Sequence, residues 1–229
     1  MPAPLSVIIP ARNAAADLPE CLAHLFAGVE AGLVREVIVS GIPSNDPTRD
    51  IAEAAGAIWI EGVEGRGQQL AAGADRARGQ WLLFVHADTW LGDGWTDAVF
   101  AHLEAHPNLA GAFKLKFRSQ TWRSNWVAGL ANWRARTFGL PYGDQGLLIP
   151  RDLYEDVGGY EPIPLMEDVS MARRLGRGRL RELSALALTS GAKQARDGWI
   201  LRSLRNVWLV IRYRFGADPA KLAKLYYRR

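Results

Sequence analysis

The chain has 229 residues, 48% of them hydrophobic, with a formal charge of +4. That balance excludes a disordered, collagenous or disulfide-stapled chain and suits one large α/β domain, or one domain plus an appendage. The charge is uneven: residues 173–229 carry 15 Lys and Arg against 3 Asp and Glu, a net of +12, leaving −8 on residues 1–172, so a basic surface is expected to face an anionic partner.

Four short, almost wholly apolar runs come first, at Leu5–Ile9, Val37–Val39, Ile58–Ile60 and Trp81–Val85. They are too short for helices and do not alternate, as expected of strands buried on both faces of a parallel sheet. Helix-length stretches separate them at Ala14–Gly32, Pro47–Gly56 and Gln68–Gly79, with Asp46 and Thr48 flanking Pro47 as a helix start. Cys21, the single cysteine, falls in the first of these and reads as a buried structural thiol. Strand alternating with helix predicts βαβ units in a doubly wound sheet, with ligands beyond the carboxyl ends of the strands.

After residue 110 the pattern changes. Phe113, Leu115 and Phe117 alternate with Lys114, Lys116 and Arg118, which predicts a half-exposed antiparallel strand. A Trp- and Arg-rich helix over Ser124–Phe138 and strands at Gly146–Ile149 and Leu183–Leu188 extend the sheet into a mixed one. In the C-terminal segment Leu201, Leu204, Trp208, Ile211 and Phe215 recur at spacings of three and four, with Arg202, Arg205 and Arg212 on a flank. Such a helix either packs on the main domain or lies on anionic lipid. We divide the chain into a main domain, residues 1–198, and a basic amphipathic helical segment, residues 199–229. The N-terminus lacks a basic region before its apolar run, and no run approaches the ~20 residues that span a bilayer. The expected location is the cytoplasm, with the inner face of the membrane open to the basic segment.

Three segments carry chemistry. The run Trp81-Leu-Leu-Phe-Val-His86-Ala-Asp88-Thr89 sets His86 and Asp88 just past a buried strand, and a carboxylate there can hold Mg²⁺ or Mn²⁺ together with phosphate oxygens. Capping the next helix is the plainer role for Asp88. Gly65-Arg66-Gly67 opens a helix before that strand and suits an anion, as it also suits an ordinary turn. Glu167 and Asp168 begin a further helix running through Met171–Leu175, either as electrostatic caps or as a general base facing an acceptor hydroxyl. Upstream, Tyr142, Asp144 and Gln145 lie in a glycine-bounded polar turn that could line an acceptor pocket.

Taken in order, SVIIPARN, HADT, YGDQG and PLMEDV resemble the family 2 glycosyltransferases of the GT-A fold. They are most similar to a bacterial radical-SAM/selenodomain-associated, arsenosugar-biosynthesis-type subgroup, over roughly residues 4–200. The resemblance implies a mixed, mostly parallel α/β sheet with helices on both faces, and an inverting, hexosyltransferase-like enzyme that uses a nucleotide-sugar donor and a divalent cation. It implies donor contacts from Pro10, Arg12, Gly41, Asp46, Arg66 and His86, the metal on Asp88, and the catalytic base at Asp168 beside Glu167. Three positions depart from the family pattern. Gly41 stands where an Asp usually meets the nucleotide base, Ala71 where an Asn is usual, and His86 where the first DXD acid falls. A lipid-linked acceptor and an anionic membrane surface are the further partners considered, and nothing resembles a nucleic-acid-binding motif. A sugar-phosphate nucleotidyltransferase is the rival enzyme, but it favours a glycine-rich, Lys-bearing N-terminal loop, unlike Pro10-Ala-Arg12-Asn13. A non-catalytic protein tethered to membranes by its basic tail is the rival from another class.

Overall fold

The computed structural model describes residues 3–62 and 64–227, and for Lys193 the backbone alone. The apolar runs become β1 (Leu5–Ala11), β2 (Val34–Gly41), β3 (Ile58–Glu61) and β4 (Trp81–Phe84). Between them run α1 (Leu18–Glu30), α2 (Thr48–Ala54) and α3 (Arg66–Arg76). The second half supplies β5 (Thr89–Leu91), β6 (Ala110–Phe117), β7 (Leu147–Pro150) and β8 (Leu180–Thr189), with α4 (Trp95–Ala105), α5 (Trp122–Phe138), α6 (Arg151–Asp156) and α7 (Glu167–Leu175) among them. After the sheet come α8 (Ala192–Asp197), α9 (Trp199–Arg214) and α10 (Pro219–Tyr227).

All eight strands join one sheet in the order β3-β2-β1-β4-β7-β6-β8-β5. The first four are parallel, β7 runs antiparallel to β4, and β5 closes the edge antiparallel to β8. The expectation for residues 112–118 needs correcting. β6 is antiparallel to β7 through the single pair Gly111 and Leu148, but its long pairing is parallel to β8. Alternation along a strand reports which face is buried, not the direction of its neighbour.

Two apolar cores form on opposite faces because successive strand residues point to opposite sides. Leu5, Val7 and Ile9 of β1 pack with Leu18, Cys21 and Leu25 of α1 and Trp95 and Val99 of α4. Ile8 packs on the other face with Leu70 of α3, Leu153 of α6 and Met171 of α7. Burial of the Cys21 thiol, with Asp88 and Asp17 nearby, pushes its pKa up to about 12, the state of an inert structural cysteine.

The C-terminal helices pack on the sheet-bearing part of the chain, but not through the expected stripe. Leu209, Leu222 and Ala223 cluster with Leu165, Met166 and Val169 at the entry to α7. Leu201, Leu204, Trp208, Ile211 and Phe215 are all exposed. No helix among the described residues is long and apolar enough to cross a membrane.

Candidate active site

An open cleft lies where β4, the 143–145 turn and α7 meet. Arg66, His86, Asp88, Tyr142, Asp144 and Asp168 all line it, although they come from parts of the chain up to a hundred residues apart. Of the parallel strands, β4 ends here, and its carboxyl end is where a doubly wound sheet places a ligand.

Asp168 is aimed by its backbone surroundings. Met166, at the cap of α7, has φ +71°, an uncommon left-handed conformation for a residue with a side chain. Burial of Met166 in the cluster with Leu209 and Leu222 holds that turn. Asp168 Oδ2 then accepts from Gly143 N at 2.9 Å and Oδ1 from Val169 N at 2.7 Å. The first of these bonds fastens α7 to the 143–145 turn. Gly143 itself has no room for a side chain, since a Cβ there would stand 2.5 Å from His86 Nε2.

Glu167 points away from solvent, 1% exposed, and pairs with Arg66 at 3.4 Å. Its Oε2 has no partner among the described residues, and burial, partly offset by Arg66, raises its pKa to about 7. Glu167 does not line the cleft. It holds Arg66, whose guanidinium reaches the cleft from the first turn of α3. The glycines around Arg66 serve packing rather than phosphate approach. Gly65 has φ +134°, and a Cβ on Gly67 would meet the Glu161 carbonyl oxygen at 2.1 Å. The Gly67 N–H donates to Ile163 O at 3.1 Å.

Asp144 has a buried Oδ1 without a partner among the described residues. Burial, against the field of Arg134 and helped by Asp168 and Asp88, raises its pKa to about 6. Tyr142 beside it lies under the Arg134 guanidinium, 3.3 Å from the ring centre. Gln145 does not share the cleft. It is 1% exposed and its amide bonds to Phe113 O, Asn132 and Arg134, so this side chain braces the turn instead of meeting a ligand.

The other expected donor contacts lie beyond the cleft lining. Pro10 ends β1 half-buried, and Arg12 pairs with Glu64 at 2.6 Å in solvent. Asp46 is spent on the chain: it accepts from Ala15 N at 3.0 Å, from Thr48 N at 3.2 Å and from the Thr48 hydroxyl. Those bonds lower its pKa, the Thr48 hydroxyl most of all. At Gly41 the backbone is not left-handed, yet a Cβ would stand 1.8 Å from the Trp59 ring. Trp59 fills the place of the missing side chain, and its indole Nε1 is buried with no partner among the described residues.

Sequence reasoning missed one wall. Gln194, Arg202, Asn206 and Tyr226 from α8, α9 and α10 complete the cleft. Gln194 Oε1 and Asn206 Oδ1 are buried and have no partner among the described residues, while Arg202 pairs with Asp197 and donates to the Tyr226 hydroxyl at 3.1 Å. No motif marks them. Only the docking of the tail brings them here.

No three His, Cys, Asp or Glu side chains among the described residues form a metal cluster by themselves. A divalent ion bound through one carboxylate, with diphosphate oxygens and water as its other ligands, does not need one. Asp88 on the cleft wall fits that donor set.

A four-stranded parallel βαβ unit extended by a mixed half-sheet, with the cleft at the strand ends, defines the GT-A class of nucleotide-diphospho-sugar transferases. The model of glycosyl transferase family 2 matches residues 6–152, and the chain belongs to that family. It is a glycosyltransferase. Among solved structures, glucosyl-3-phosphoglycerate synthase from Mycobacterium tuberculosis, in complex with Mn²⁺, UDP and phosphoglyceric acid, is similar with a TM-score of 0.56 at 20% identity, over 78% of this chain and 67% of that one. The same enzyme with Mg²⁺ and UDP gives 0.57 at 20% identity, over 82% and 69%. S. aureus TarS 1-349 in complex with UDP-GlcNAc gives 0.60 at 18% identity, over 81% of this chain but 58% of that one. At these identities the likeness is one of fold. Comparison with curated proteins gives no match.

Proposed function

We propose that the chain transfers a sugar with inversion from a nucleotide-sugar donor to an acceptor hydroxyl, in the cleft between Arg66, Asp88 and Asp168. The observation that carries this reading is the convergence of those three residues, from α3, the turn after β4 and the start of α7, on one cavity. The acceptor oxygen attacks the anomeric carbon as the bond from that carbon to the diphosphate breaks, and the diphosphate leaves with the electron pair. The proton of the acceptor passes to the Asp168 carboxylate, which its two backbone N–H donors hold in one orientation. Arg66, fixed by Glu167, sets a positive charge beside the departing group.

A divalent cation on Asp88, when bound, offsets diphosphate charge. The Mycobacterium tuberculosis enzyme of similar fold is known in complexes with Mn²⁺ or Mg²⁺ and UDP, which supports this part by analogy of fold. Tyr142, Asp144, Gln194 and Asn206 form the acceptor side, and the unpaired oxygens of the last three suit the hydroxyls of a sugar or another polyol. The arsenosugar-type subgroup remains a likeness of motifs and assigns no substrate.

A thermal-shift and transfer screen of nucleotide sugars, with and without Mn²⁺, tests the proposal. The expected result is cation-dependent stabilisation by one donor class, lost in Asp88→Ala at unchanged apo stability. Donor binding that ignores both the cation and Asp88 would overturn the metal assignment.

A further inference from the structure

α5 and α9 are built inside out. The buried face of α5 is made of small residues, Ser124, Ala128 and Ala131, the two alanines packing on Leu115, Phe117 and Trp199. At about 100° per residue, Trp122, Trp126, Leu130 and Trp133 share an arc of roughly 80° on the opposite side, and all four are exposed. α9 repeats the arrangement. Its buried side carries Trp199 and Leu209, and its far side presents Leu201, Leu204, Trp208, Ile211 and Phe215 to solvent. The two helices touch. Together with the residue that ends α9, they hold twelve of the seventeen large apolar side chains exposed among the described residues, so this is a patch and not ordinary scatter.

We propose that this two-helix surface docks the protein on a membrane of anionic lipid. Charge selects the occupant. On α9 the apolar arc is bordered by Arg205 and Arg212 on one side and Arg214 on the other, all exposed. Arg123 lies over the Trp122 ring at 5.0 Å and Arg212 over the Trp208 ring at 4.9 Å. An apolar strip with indoles and a rim of guanidinium groups matches the headgroup boundary, where indole rings settle and cations meet lipid phosphate. A second copy of the chain would bring like-charged rims together, which disfavours self-association. The inward face of α9 supplies Arg202, Asn206 and Leu209 to the cleft, so docking would hold the acceptor side next to the lipid. That last consequence rests on the transferase reading, whereas the docking itself does not.

Sedimentation of the full chain with phosphatidylcholine vesicles, with and without phosphatidylglycerol, tests the surface without donor or acceptor. The chain is expected to bind the anionic vesicles with a blue shift of tryptophan emission, to release them as salt rises, and to leave neutral vesicles in solution. Trp126→Ser with Trp208→Ser should lower anionic-vesicle affinity about tenfold or more, as should Arg212→Glu with Arg214→Glu. All four side chains are exposed, so circular dichroism and Tm should match the parent. Failure to bind anionic vesicles, equal binding to neutral ones, or a soluble dimer that the tryptophan pair dissolves would each overturn the proposal. Transfer to a soluble acceptor is a separate measurement, so loss of docking and loss of activity remain distinguishable.

Discussion

Around the ends of β1 and β2, polar side chains bond to the chain itself. Asn13 Oδ1 accepts from Asn45 N, Thr48 Oγ1 from Ala14 N and Asp46 from Ala15 N. Gln69 donates to both Ala11 O and Ser40 O, lacing the two strands together. On the other side of the cleft, Asp144, Gln194 and Asn206 each keep a buried oxygen with no partner among the described residues. Buried polar groups are normally satisfied, and Ser40 Oγ and Trp59 Nε1 are unpaired on the first side as well, so the two regions differ in how far polar side chains lace the loops together: densely around β1 and β2, sparsely on the wall that Asp144, Gln194 and Asn206 form. Asp168 stands between the two, anchored through backbone N–H groups yet facing the cavity.

The contrast breaks most sharply at Asp168. Asp168→Asn should cut turnover by about 10²–10⁴-fold while donor affinity and Tm stay near the parent, because the amide oxygen can still take one of the backbone bonds. Steady-state rates beside calorimetry with the donor make the check, and parental turnover would reduce Asp168 to a helix-start residue.

At the rigid side, Gly41→Asp should destabilise the protein by about 1–3 kcal/mol and weaken nucleoside-diphosphate binding, since the Trp59 ring occupies the space. Denaturant melts and diphosphate titrations of both forms read this out. Tighter binding by the Asp form would mean that Trp59 swings aside and that the usual family contact can be rebuilt.

On the open side, Asn206→Ala should raise the acceptor KM by about tenfold, the worth of one hydrogen bond, with donor hydrolysis unchanged. Equal effects on both would place Asn206 with the donor instead.

The smallest effect is a matter of pH. Asp144 binds its proton more tightly folded, at about 6, than at its ordinary 3.8. Its contribution is therefore fully present below about 4 and is lost as pH rises through about 6. Asp144→Asn should then raise Tm at pH 8 by about 2–4 °C and leave it unchanged at pH 4. A gain of the same size at both pH values would mean that packing, not charge, is responsible.

Much of this arrangement is legible from the residues alone. A run such as Trp81–Val85 with no alternation has one cheap home, a strand covered on both sides, and the βαβ alternation then places His86 and Asp88 at the ligand end. Glu167 and Asp168 declare a helix start by charge. Their division of labour stayed hidden, because it depends on the left-handed turn at Met166 that sends one carboxylate to Arg66 and the other into the cleft. Gln145 sits next to Asp144 in sequence but is turned into the interior.

Local pattern thus determined the parallel half-sheet, its helices and the carboxylates at its edge, because burial period and helix-start chemistry act within a few residues. Only the tertiary structure decided what meets across distance. It set Trp59 into the space of a side chain that Gly41 lacks, and it gave β6 a parallel partner in β8. It also chose which face of α9 is covered. The heptad-like stripe of Leu201, Leu204 and Trp208 is the more apolar face and would be expected inside, but Leu209 and the cluster at Met166 took the contact with the domain. Periodicity tells a helix that it has an apolar side, whereas which side is buried depends on the shape and charge of the surface it lands on.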